Sequence, residues 1–170
     1  MKRQTLLRCG TGLILMIGLI LIDQFTKIAA SAGLKSQNDI ILIPGVLQLH
    51  YLENTGAAFS LFENKLSLFY VTTPILLVIL LYLFLRTPNH RRFLPLWLTY
   101  IFLIAGAVGN FIDRIVHQYV IDFIYFSLID FPVFNVADIY VTCSVAVLFY
   151  LILFYFKDLD ELSDLYLKRP

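Results

Sequence analysis

Leu13-Ile14-Leu15-Met16-Ile17-Gly18-Leu19-Ile20-Leu21-Ile22 is a run without a single charged side chain. It lies within residues 6–30. At 1.5 Å per residue, that segment is long enough to cross the roughly 30 Å hydrocarbon core of a bilayer. Three further segments qualify: residues 66–85, 93–112 and 134–156. The second and third spans carry no charge, and the fourth carries one, Asp138. Pro74 and Pro95 fall inside or at the start of spans, where neighbouring helices and waters satisfy the freed carbonyls. The expected fold is an all-α polytopic membrane protein with four transmembrane helices, forming a single domain over residues 1–170.

Composition agrees. Of 170 residues, 59% are hydrophobic and 15% charged, against roughly 45–50% and 25% in soluble domains. A soluble domain of this size cannot hide so much apolar surface. The net charge of +1 argues against a nucleic-acid partner, which needs a basic face. Cys9 and Cys143 are far apart. His50, His90 and His117 are scattered, and no zinc-type spacing occurs.

Basic residues set the orientation. With the N-terminus in the cytoplasm, Lys2, Arg3, Arg8, Arg86, Arg91, Arg92, Lys157, Lys168 and Arg169 are inside, and Lys27, Lys35, Lys65 and Arg114 are outside. Both termini are then cytoplasmic, and the loops near residues 31–65 and 113–133 face outward. Asp23, Asp39, Glu53, Glu63, Asp113, Asp122, Asp130 and Asp138 all fall at or beyond the outer ends of spans. The tail at 157–170 holds the other four acidic residues and is expected to be solvated. A cleaved signal peptide is the alternative at the N-terminus, since Ala30-Ser31-Ala32 resembles a cleavage site. Asp23 and Lys27 interrupt the region ahead of that cut, and three more spans follow. A retained span is favoured. Cys9 precedes the apolar run, so it is no lipid-attachment cysteine.

Ionisable groups near a span are costly and usually mark function. Asp23 and Lys27 are four apart, share a helix face and can pair. Asn54-Thr55-Gly56-Ala57-Ala58-Phe59 combines amide donors with small residues that allow close approach, though Asn-Thr-Gly is also an ordinary turn. Ala105 and Gly109 form a small-xxx-small pair that favours close helix packing. Asn110, Asp113 and Arg114 follow at that span's end. Asp122 lies in Tyr119-Val120-Ile121-Asp122-Phe123-Ile124, and Asp138 in Phe134-Asn135-Val136-Ala137-Asp138. A hairpin between the third and fourth spans can bring both carboxylates to the outer surface. Two carboxylates in hydrogen-bond range share one proton. One then deprotonates a water while the other polarises a carbonyl. A proton or ion pathway, as in a small transporter or proton channel, and simple structural pairing remain open on these residues alone. The first outer loop carries Ile40-Ile41-Leu42-Ile43 and Leu47-Gln48-Leu49-His50-Tyr51-Leu52 around Pro44-Gly45. They predict a small extracytoplasmic β element leaning over the site as a lid.

Five segments together resemble the bacterial lipoprotein signal peptidases, also called type II or prolipoprotein signal peptidases. They are Asp23-Gln24-Phe25-Thr26-Lys27, Asn54-Thr55-Gly56-Ala57-Ala58-Phe59, Gly106-Ala107-Val108-Gly109-Asn110-Phe111-Ile112-Asp113-Arg114, Val120-Ile121-Asp122-Phe123, and Phe131-Pro132-Val133-Phe134-Asn135-Val136-Ala137-Asp138. Their order and spacing match across about residues 10–156. The resemblance implies an aspartic endopeptidase of the bacterial cytoplasmic (inner) membrane. Such enzymes remove the signal peptide from diacylglyceryl-modified prolipoproteins, on the amino side of the lipidated cysteine. By motif, Asp122 and Asp138 form the catalytic dyad. Asn54, Gly56, Asn110, Arg114, Asn135 and Ala137 line or support the substrate site, with Asp23, Lys27 and Asp113 beside it. The partners it implies are prolipoproteins, membrane lipids and globomycin-type peptide inhibitors. It implies no metal or organic cofactor.

Overall fold

A computed structural model describes residues 2–56 and 66–156, with side chains from residue 6 onward. The segment Ala57-Ala58-Phe59, the charges Glu63 and Lys65, and the tail at 157–170 lie outside the described residues. In chain order the elements are α1 (Lys2–Leu34), β1 (Ile40–Ile43), β2 (Leu47–Asn54), α2 (Leu66–Arg86), α3 (Leu94–His117), β3 (Val120–Tyr125) and α4 (Val136–Tyr150). A π-helical turn, Leu151–Tyr155, extends α4. Among the described residues, four helices are long and apolar enough to cross a membrane. Their outward surfaces are apolar too: Ile14 and Phe25 are each 72% exposed. Side chains of that kind rest comfortably only against lipid.

The helix α3 is the hub. Over half of its spanning window is buried, against 17% or less in each of the others. It packs on α1, α2 and α4. Its Leu96, Trp97, Tyr100, Ile101 and Ile104 form the core with Met16 of α1, Leu80 and Phe84 of α2, and Leu151 after α4. Two glycines let α3 approach its neighbours. A Cβ on Gly106 would lie 2.6 Å from the Ala137 carbonyl of α4, and one on Gly109 would lie 2.5 Å from the Asp23 carboxylate of α1. The close face of α3 therefore includes Gly106 as well as the expected Ala105–Gly109 pair.

Two helix ends lie beyond the sequence-based bounds. The first helix runs to Leu34 and the third to His117. Asp113, the charge just past the expected end of the third span, is satisfied by Lys27 and the Ile121 N–H, so the backbone continues past it. Gln118 then stops α3 in the left-handed region at φ 68°, its N–H returning to the Arg114 carbonyl.

The sheet sits where α1 and α3 finish and α4 begins. Its order is β1-β2-β3, all antiparallel. The two strands expected in the first loop are present. The third, β3, comes from the segment between α3 and α4. The β2–β3 register pairs Leu52 with Asp122 and Asn54 with Val120. Alternation puts Asn54 and Asp122 on one face.

Candidate active site

Two strand residues and one helix start build the site. Asp122 is carried by β3, with only 1% of its surface exposed. Asn54 of β2 donates from Nδ2 to Asp122 Oδ2 at 2.8 Å, and Asn135 Nδ2 donates to Asp122 Oδ1 at 2.6 Å. Burial pushes the Asp122 carboxyl up to about 7, and the charge of Asp138 pushes it the same way. The two asparagine hydrogen bonds oppose this without cancelling it.

Asp138 lies in the first turn of α4. Asn135 caps that helix: its Oδ1 accepts the Asp138 N–H at 3.0 Å, and its own N–H donates to Asp138 Oδ2 at 3.1 Å. This is a reciprocal capping box, here with Asp at the third helical position. Asn110 of α3 donates from Nδ2 to Asp138 Oδ1 at 2.7 Å. Asn110 Oδ1 accepts from Asn135 Nδ2 at 3.0 Å. A chain of hydrogen bonds thus runs Asp122–Asn135–Asn110–Asp138. Asn135 holds both carboxyl groups at once and is itself fully buried.

Behind this chain lies a buried ionic cluster. Lys27 Nζ sits 2.9 Å from Asp23, 3.0 Å from Asp113 and 2.8 Å from Asn110 Oδ1. All three donors of the ammonium are satisfied. Asp23 Oδ1 accepts the Ala137 N–H at 2.9 Å, and Asp113 Oδ2 accepts the Ile121 N–H at 3.1 Å. Gln24 Nε2 ties the carboxylates together, donating to Asp113 at 3.0 Å and to Asp23 and the Gly109 carbonyl at 3.2 Å. The cluster locks α1, α3, β3 and the start of α4 into one arrangement. Gln24 is part of a quoted motif, yet nothing in its type or spacing marked it as the bridge.

A cavity of about 980 Å³ opens in front of the carboxyl groups. Asn54, Gly56, Asn110, Arg114, Asp122 and Asp138 are on its wall, beside apolar Val133, Phe134, Ile139 and Val141. Asn135, Ala137, Asp23, Lys27 and Asp113 are not on the wall and are almost fully buried. Arg114 stacks over the Phe69 ring at 4.2 Å and donates to the Gly56 carbonyl at 3.1 Å and to the Asn110 carbonyl at 3.3 Å. The rim on the sheet side holds a His50–Asp39 contact at 2.8 Å. Nearby, Lys35 pairs with Glu53 at 2.8 Å.

Residues 15–154 match the family model described as signal peptidase (SPase) II. The chain belongs to the signal peptidase II family. A lipoprotein signal peptidase of Streptococcus thermophilus (strain CNRZ 1066) is 42% identical over 133 residues, which is 78% of this chain and 86% of the relative. One from Enterococcus faecalis (strain ATCC 700802 / V583) is 40% identical, covering 82% and 84% of the two chains. One from Staphylococcus aureus is 32% identical over 91% of this chain and 93% of its own. A bacterial membrane enzyme solved by the in meso method at 2.3 Å superposes with a TM-score of 0.78 at 32% identity, over 85% and 88% of the two chains. As a signal peptidase II, the protein is a multi-pass membrane hydrolase, and its polar chain of asparagines and aspartates lies at one end of the bundle.

Proposed function

We propose that this signal peptidase II is an intramembrane aspartic endopeptidase of the bacterial cytoplasmic membrane. It removes signal peptides from diacylglyceryl-modified prolipoproteins, cutting on the amino side of the lipidated cysteine. The observation that carries the mechanism is the pair of carboxyl groups on one cavity wall, held in register by Asn135 and Asn110.

With its carboxyl pushed up to about 7, Asp122 carries a proton on the acid side of neutrality and donates it to the scissile carbonyl oxygen. Asp138, at the positive end of the α4 dipole, takes a proton from water. The hydroxide oxygen bonds to the carbonyl carbon. The C–N bond then breaks, and the proton on Asp138 passes to the leaving nitrogen. Asp122 is left to be reprotonated for the next cycle. Asn54, Gly56, Asn110 and Arg114 hold the substrate backbone from the wall. Asn135 and Ala137 act from behind, and Asp23, Lys27 and Asp113 support them. The apolar wall receives the part of the substrate that arrives in the bilayer. Globomycin-type peptides occupy the same cavity. With the termini cytoplasmic, the cavity opens near the outer face, where water and a lipid-anchored peptide meet.

A proton relay needs ionisable groups at successive depths. Among the described residues, Asp23, Lys27, Asp113, Asp122 and Asp138 form one network at one end of the bundle, which favours hydrolysis. The test is mass spectrometry of products from purified protein and a prolipoprotein with and without its diacylglyceryl group. Release of a mature chain beginning with the lipidated cysteine, from the lipidated substrate only, is expected. A cut elsewhere, or equal cutting of both substrates, would refute the assignment.

A further inference from the structure

The cavity in front of the two carboxyl groups has two arms of opposite chemistry. Along α4 its wall continues from Asp138 to Ile139, Thr142 and Cys143, inside the fourth spanning helix. Along the sheet it continues from Asn54 to Leu52, His50 and Gln48. These residues are two apart on β2, the spacing of one strand face. By strand rise, His50 and Gln48 lie roughly 13 and 20 Å from Asn54. The far end of this sheet arm is polar. His50 Nδ1 is 2.8 Å from Oδ1 of Asp39, which precedes β1. Asp130, after β3, accepts the Tyr125 hydroxyl, and Tyr125 pairs with Gln48 across the sheet. Asp39, His50, Tyr125 and Asp130 all line the cavity, and both carboxylates are exposed. Lys35 does not neutralise this arm. It pairs with Glu53 and lies over the Tyr51 ring, on the odd-numbered side of β2.

We infer that the sheet arm seats the polypeptide that follows the scissile bond. Asp39 and Asp130 there favour a cationic side chain about four to six residues beyond the cut. The inference rests on the reading of this protein as a prolipoprotein endopeptidase. A signal segment and acyl chains are apolar and fit the α4 arm, at bilayer depth. The chain on the other side of the cut has to leave the bilayer, and the sheet arm leads past the helix ends. An extended peptide advances about 3.3 Å per residue, which brings those positions level with His50, Asp39 and Asp130. Each carboxylate attracts a cation there and repels an anion.

The full-length protein in detergent is given diacylglyceryl-modified peptides with Lys or Glu at a single position, scanned outward from the residue after the cysteine. The readout is the Lys-to-Glu ratio of kcat/KM at each position. A ratio of about 3–10 is expected at the fourth to sixth residues beyond the cut, and a ratio near one beside the cysteine. Added salt should shrink the peak. Asp39→Asn combined with Asp130→Asn should bring the ratio to within about twofold of one, and Asp39→Glu with Asp130→Glu should keep it. A merely structural role would slow both peptides alike and leave the ratio unchanged. If no peptide is cut ahead of the cysteine, the endopeptidase reading falls and this inference falls with it. If all are cut there but Lys and Glu perform equally at every position, or if the double Asn variant keeps the wild-type preference, the inference alone is overturned.

Discussion

Replacing Lys27 with methionine removes the one cation at the centre of the buried cluster and keeps most of the side-chain volume. Asp23 and Asp113 would then face each other with no ammonium between them, each at most 1% exposed. Asn110 Oδ1 would lose a donor that now sits at 2.8 Å. Breaking a buried ion pair by removing one partner costs about 3–5 kcal/mol. Two carboxylates depend on this lysine, so the upper part of that range applies. At about 2–4 °C per kcal/mol for a chain of this size, the midpoint should fall by roughly 10–20 °C. Activity should fall as well, because Asn110 holds Asp138. The assay is thermal unfolding of the purified protein in detergent. Adding Asp113→Asn to Lys27→Met removes one orphaned charge and should return roughly 1–3 kcal/mol of the loss. A midpoint within about 3 °C of wild type for the single variant would refute the view that the cluster locks the helices.

Three further outcomes are expected. Asp122 holds its proton up to about 7 in the folded protein against 3.8 ordinarily, so the native state binds the extra proton. Its contribution to stability is full below about pH 4 and is lost as pH rises through 7, by roughly 4 kcal/mol in all. Asp122→Asn should flatten that part of a stability-versus-pH curve, and wild-type kcat/KM should decline as pH climbs past about 7. Gly106→Ala should push α4 off α3 through the Ala137 carbonyl and lower stability by about 1–3 kcal/mol in the same unfolding assay. Gly18→Ala, whose added Cβ meets nothing within 4 Å, serves as the neutral control. A reporter fused after Pro88 should signal from the cytoplasm, and an external signal would reverse the orientation.

The spans were legible because apolar length is a one-dimensional property. The pairing of Asp23 with Lys27 was legible because helical spacing alone puts them together. The strand runs at 40–43 and 47–52 were announced by their residue types and by Pro44-Gly45, but the second strand continues to Asn54, which the sequence offered only as part of a loop or turn. Val120–Tyr125 was not read as a strand, although Val120, Ile121 and Ile124 are strand formers. Its first four residues are buried, so the usual alternation that marks a half-exposed strand is missing. Asp113 was read as the end of a helix because the third dimension that satisfies it, the Ile121 N–H and Lys27, is invisible in a linear chain. Asn135 was read as a site residue by resemblance. Its spacing of three before Asp138 also fits a capping pair, and that capping position is what lets one side chain hold both carboxyl groups. The role of Gly106 depended on which face α4 would cover, and no pattern within α3 reveals that.

Cleavage of a lipidated prolipoprotein by the wild type, Asp122→Asn and Asp138→Asn tests the dyad most directly. Each variant is first shown to be folded by its unfolding midpoint. Loss of a positioned acid or base lowers the rate by about 10²–10⁴-fold, and both variants should fall at least that far. A folded variant of either residue that turns over substrate at the wild-type rate would contradict the two-carboxylate mechanism.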